Sequence, residues 1–148
     1  MKILLLSPHT DDIELGAGGT LVKLLEENND IHWVVFSICA DAVPQGLPSD
    51  TLKNEFISVA SGLGIKNYRL HDFPRRIFPQ YRQEILDELH EIKREFKPHL
   101  VIAPSLNDIH QDHKTVAIIS EAPANNTVLV HMIRAKLCGG ILLFSEIV

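Results

Sequence analysis

Apolar residues fall into two patterns along this chain. Largely unbroken runs occupy residues 3–6, 31–38 and 100–103. Short runs without strict alternation predict strands buried on both faces, as in a parallel sheet. His32 sits inside the second run, and residues 68–70 read as a further short strand. Between the runs, apolar positions recur at helical spacing. Leu21, Leu24 and Leu25 define a helix over 20–27, entered from a glycine-bearing loop at 7–19. Ser49 or Asp50 can cap a helix over 51–63, which Gly62 and Gly64 close. Ile85, Leu86, Leu89, Ile92 and Phe96 form the stripe of a helix over 80–97, stopped by Pro98. A last helix starts at His110 and runs to Glu121.

Strands alternating with helices predict an α/β fold with a mainly parallel sheet and right-handed crossovers. There is no repeat, low-complexity tract or linker, so the chain reads as one domain over 1–148. After Glu121 the pattern weakens. Residues 127–130 could form a strand, and Gly139-Gly140 a turn. The apolar tail suggests a homo-oligomer.

The 148 residues carry a net charge of -5, which disfavours a sequence-independent nucleic-acid binder. The first apolar run is too short for a signal-peptide core or a membrane span. Cys39 and Cys138 have no paired spacing, so neither a zinc ribbon nor a disulfide framework is expected. Cys39 reads as a buried thiol. Together these features fit a cytoplasmic protein that acts on a small molecule, with no membrane partner.

Two polar stretches each follow a predicted strand. The first is Ser7-Pro8-His9-Thr10-Asp11-Asp12-Ile13-Glu14-Leu15-Gly16, and the second is Asp108-Ile109-His110-Gln111-Asp112-His113. In open parallel sheets, ligands bind beyond the carboxyl ends of the strands, where strand order reverses. If the first and fourth strands are neighbours, the two stretches meet there. His9, Asp12 and His113 would then offer two nitrogens and a carboxylate to one divalent ion, leaving open positions as catalytic sites do. Zinc is the first choice, though other divalent ions suit such donors. Asp11 would act as general base towards metal-activated water. His110 could stabilise an oxyanion or protonate a leaving amine, and Asp112 could orient His110 or His113. Taken singly, the same residues have plainer readings: Asp11 or Asp12 as a helix cap, His110 and His113 as exposed residues of a first turn. Asp72, Arg75 and Arg76 follow the third strand on the same side. One of these arginines could bind a substrate phosphate or carboxylate, or the three could be a solvated charge cluster.

The first stretch, with Gly18-Gly19-Thr20, resembles the first motif of the LmbE-like (PIG-L) family of zinc-dependent N-acetylglucosaminyl deacetylases. His110-Gln111-Asp112-His113 resembles its second motif, and Glu55, Ala60, Leu63 and Gly64 the helix and turn between them. The resemblance runs from Met1 to about Glu121. It implies one Rossmann-like three-layer α/β/α domain that hydrolyses an acetamido group on an amino-sugar conjugate. It also implies His9, Asp12 and His113 as metal ligands, Asp11 as base, His110 as oxyanion or amine partner, and Asp112 as the residue that tunes a neighbouring His. Thr10 stands where the family usually has Pro, and Leu52 and Lys53 stand where relatives often have Arg. Family members run longer, so the tail from residue 122 reads as the divergent end of a truncated or frame-shifted gene. Two rival readings are a metal- or sugar-binding module without turnover and a nucleotide-binding protein on the same architecture.

Overall fold

The computed structural model describes residues 1–121 and 127–132. Among these residues, five parallel strands form one sheet in the order β3-β2-β1-β4-β5. They are β1 Lys2–Ser7, β2 Asp30–Val35, β3 Tyr68–Leu70, β4 Leu100–Pro104 and β5 Val128–Met132. The helices are α1 Asp12–Glu26, α2 Thr51–Gly62, α3 Arg82–Phe96 and α4 Gln111–Ser120. The expected strand over 127–130 is β5, and the Gly139-Gly140 turn and Cys138 lie outside the described residues.

Alternation along the strands divides the core into two layers. Leu4, Leu6, Val34 and Phe36 pack on Ile85, Leu89 and Ile92 of α3 and Val116 and Ile119 of α4. Ile3, Leu5, Ile31, Trp33 and Val35 pack on Ile13 and Leu21 of α1 and Phe56 and Ala60 of α2. The sheet is thus sandwiched between helices, and residues 3–6 are sealed from solvent on both sides. Each such aliphatic side chain contributes about 1.5–3 kcal/mol by burial.

Three local expectations need correction. Helix α1 starts at Asp12 rather than Thr20, so the glycine-rich stretch is helical, with a break at Ala17 (φ -145°, ψ 16°). A short glycine run does not forbid a helix when tertiary packing supports one. Gly16 lies close against β5: a Cβ there would come 3.3 Å from Met132 Sδ, so the methionine side chain would have to give. The predicted helix over 80–97 begins instead as a tight 3-10 turn, Phe78–Tyr81, before α3. Asp50 occupies the N-cap of α2, but its side chain makes no capping bond.

Since β1 and β4 are hydrogen-bonded neighbours, the loops that follow them leave the same edge of the sheet side by side. The end of β1 is further fixed by Ser7, whose buried hydroxyl accepts the Trp33 indole N–H at 2.8 Å. Ser7→Ala would leave that N–H unsatisfied, so it is expected to lower unfolding free energy by about 1–3 kcal/mol in urea titration. An unchanged midpoint would show that this bond does not hold the strand end in place. Among the described residues, no helix is long and apolar enough to cross a membrane.

Candidate metal centre

The first polar stretch forms the turn from β1 into α1, and the second forms the turn from β4 into α4. His9 and His113, 104 positions apart in sequence, meet here with Nδ1 and Nε2 3.3 Å apart. Asp12 completes the group. One carboxylate oxygen is 3.2 Å from His113 Nε2, and the other is 3.5 Å from His9 Nδ1. That second oxygen also accepts the His9 backbone N–H at 2.8 Å, which locks the turn.

The outer nitrogen of each imidazole is held by a second carboxylate. Asp112, fully buried, lies 3.1 Å from His9 Nε2. It also accepts backbone N–H bonds from Arg76 and from Phe78, the latter at 3.1 Å. Asp108 lies 2.8 Å from His113 Nδ1 and accepts the His110 N–H at 2.9 Å. In the neutral rings whose outer N–H donates to these carboxylates, His9 Nδ1 and His113 Nε2 are the atoms left to ligate an ion; without one, the Asp12 carboxylate is their neighbour. The sequence reading paired Asp112 with His110 or His113. Its carboxylate bonds His9 and lies 3.9 Å from His110 Nδ1, its backbone N–H holds the His110 ring, and Asp108 serves His113. Asp108 was given no role from sequence, although an Asp just before a helix, with a backbone N–H two residues on, is a familiar turn-former.

His110 is the N-cap of α4, and its Nδ1 accepts the Asp112 N–H at 3.2 Å. The proton of the neutral ring is therefore on Nε2. Burial, then the nearby His113 and His9, lower the His110 pKa and favour that neutral form. Asp11 stands at the N-cap of α1, exposed, with no capping bond from its side chain. Asp12 does not cap α1 through its own side chain either, because that carboxylate turns back to His9. The helix-cap readings of both aspartates are thus set aside.

Charge at the centre is strongly coupled. Burial works against the Asp12 charge, but bonds to His113 and His9 outweigh it and hold Asp12 far below the usual carboxylate range. Burial likewise opposes charge on His113, and Asp12 and Asp108 reverse that effect and raise its pKa. Glu14, half-buried and beside Asp11 and Asp12, is pushed up to about 7, chiefly by burial.

His9, His110 and His113 each present a ligand nitrogen within 4.8 Å of the others, so this cluster could hold a metal ion. Within it, the His9–His113 pair can be compared with zinc geometry, and the Asp12 carboxylate lies beside both nitrogens. Two nitrogens bound tetrahedrally at zinc distances lie about 3.3–3.4 Å apart. The observed 3.3 Å between His9 Nδ1 and His113 Nε2 agrees.

A parallel α/β sheet with a histidine–carboxylate centre at its strand ends is the setting in which the family match falls. The profile of the PIG-L family, described as GlcNAc-PI de-N-acetylase, matches residues 4–122, and the chain belongs to this family. Among individual relatives, it is 26% identical over 149 residues to the diacetylchitobiose deacetylase of Thermococcus kodakarensis, covering 95% of this chain and 55% of that protein. The structure of N,N'-diacetylchitobiose deacetylase from Pyrococcus horikoshii superposes with a TM-score of 0.72 at 25% identity, over 80% of this chain and 47% of that one. The conserved protein TT1542 from Thermus thermophilus shares the fold, with a TM-score of 0.66 at 23% identity over 88% of this chain and 64% of that one. The chain spans about half the length of the curated relative it matches.

Proposed function

We propose that this centre is the metal site of a deacetylase acting on an N-acetylated amino sugar or its conjugate, with zinc as the first-choice ion. The observation that carries the reading is the triangle of His9 Nδ1, His113 Nε2 and the Asp12 carboxylate, with edges of 3.2–3.5 Å. Family membership and the deacetylase relatives support the reaction class.

In this reading His9, Asp12 and His113 hold the ion. A divalent cation there supplies the charge that polarises an acetamide carbonyl and acidifies a water. Asp11 is the adjacent carboxylate left out of the triangle and free of capping duty, and it takes the proton of the attacking water. His110 presents its Nε2–H towards the developing oxyanion, because its Nδ1 is occupied by a backbone N–H. The proton gained by Asp11 is then available for the departing amine. Asp112 and Asp108 set the imidazole tautomers from behind.

The test is acetate release from N-acetylglucosamine and N,N'-diacetylchitobiose, before and after chelation and zinc replacement. Activity is expected to fall at least about a hundredfold on chelation and to return with zinc. Turnover indifferent to chelation would exclude the metal mechanism. Stoichiometric bound metal without turnover on any acetamido sugar would favour a binding module instead.

A further inference from the structure

The loop between β3 and the 3-10 turn carries two adjacent arginines with opposite circumstances. Arg75 is committed: its Nε lies 2.9 Å from both carboxylate oxygens of Asp41, and it also reaches the Asp41 carbonyl. This fork ties the loop after β3 to the loop after β2. Arg76 is exposed, and among the described residues its guanidinium meets no acidic or polar partner. Its backbone, by contrast, is firmly placed. It adopts a left-handed conformation (φ 68°), uncommon for a residue with a side chain. Its N–H donates to the buried carboxylate of Asp112, and the same oxygen lies 3.1 Å from His9 Nε2.

Strain of this kind persists where surrounding bonds over-determine the backbone, and it clusters at ligand sites. Here the strained residue hangs directly on the carboxylate that supports the metal centre. Its cation is the one left unneutralised on this loop, and its backbone borders a centre that carries Asp11, Asp12, Asp108 and Asp112. A planar guanidinium binds phosphate or carboxylate oxygens in pairs. We infer that Arg76 is a substrate-specificity residue that recognises an oxyanion, phosphate or carboxylate, carried by the amino-sugar substrate next to the acetamido group. The inference rests on the deacetylase reading for the identity of the sugar, but not for the anion contact. The held backbone anchors the base of the side chain beside the Asp112 carboxylate, and the exposed side chain leaves the cation available.

The experiment compares N-acetylglucosamine, N-acetylglucosamine 1-phosphate and N-acetylmuramic acid as substrates of the zinc-loaded protein. Wild type is expected to prefer at least one anionic sugar by about tenfold or more in kcat/KM, mainly through KM. Arg76→Ala and Arg76→Gly should collapse that ratio towards one, and Arg76→Lys should keep part of it. Arg76→Gly relaxes the left-handed backbone, so it separates loss of the cation from loss of folding. Arg94→Ala, an exposed substitution near the far end of α3, should leave the ratio intact. Absence of a preference in wild type, or a preference that survives both Arg76→Ala and Arg76→Gly, overturns the inference. If none of the three sugars is deacetylated, the functional reading fails on its own. Calorimetric binding of N-acetylglucosamine 1-phosphate then decides: weakening by about tenfold in both variants upholds the role of Arg76, and equal binding removes it.

Discussion

Asp112→Asn is expected to weaken zinc binding by about 10–100-fold and to lower stability in the absence of metal by about 1–3 kcal/mol. The cause is a mismatch of donors. One Asp112 oxygen accepts the Phe78 N–H, and the other serves both Arg76 N–H and His9 Nε2. An asparagine offers one oxygen and one NH2 in the same space. If the NH2 faces Phe78, two donors collide in a fully buried position. If it faces Arg76 and His9, it meets the Arg76 N–H donor to donor, and the His9 Nε2 must become an acceptor, with its proton moved to Nδ1. That nitrogen is the one 3.3 Å from His113 Nε2, so the protonated ring can no longer serve an ion there. Asp112→Ala removes the clash but orphans all three donors, and about 3–5 kcal/mol is the scale for breaking a buried charged partnership. Zinc competition against a chromophoric chelator and urea unfolding of metal-free protein measure the two effects separately. Wild-type values in both would show that Asp112 does not support His9.

The contrast between Asp112 and the strands explains what could be read in advance. Residues 3–6 and 100–103 announce strands because burial on both faces demands unbroken apolar character. The meeting of His9, Asp12 and His113 followed from the same fact, since each motif trails a strand and β1 lies beside β4. Which carboxylate supports which imidazole was not legible. The Asp112–His9 pair spans 103 positions, and nothing local in His110-Gln111-Asp112-His113 shows that α4 turns Asp112 towards the other loop. Asp108 is hidden for a related reason: its partner His113 lies in the first turn of α4, beyond the turn that Asp108 itself makes with the His110 N–H. The start of α1 was misplaced because Gly16 looks like a loop residue until Met132 is seen against it. Arg75 and Arg76 were equivalent in sequence, and only the position of Asp41 separates them.

Asp11→Asn should produce the other large effect, and by a route that leaves the centre intact. The change is isosteric, the side chain is exposed, and it makes no capping bond to α1. Lost interaction with the helix N-terminus accounts for less than about 1 kcal/mol. Metal content by elemental analysis should therefore stay at the wild-type stoichiometry, while deacetylation falls by about 10²–10⁴-fold, the range expected for a missing general base. The loss should fall on kcat, because Asp11 is assigned to the proton of the attacking water and not to the sugar. Asp12→Asn is the informative partner. It weakens an acceptor that faces both His9 and His113, so it should lose metal and activity together. If Asp11→Asn kept near wild-type turnover with full metal occupancy, the base would have to be another group. Glu14, the neighbouring carboxyl pushed up to about 7, would then be the residue to replace next.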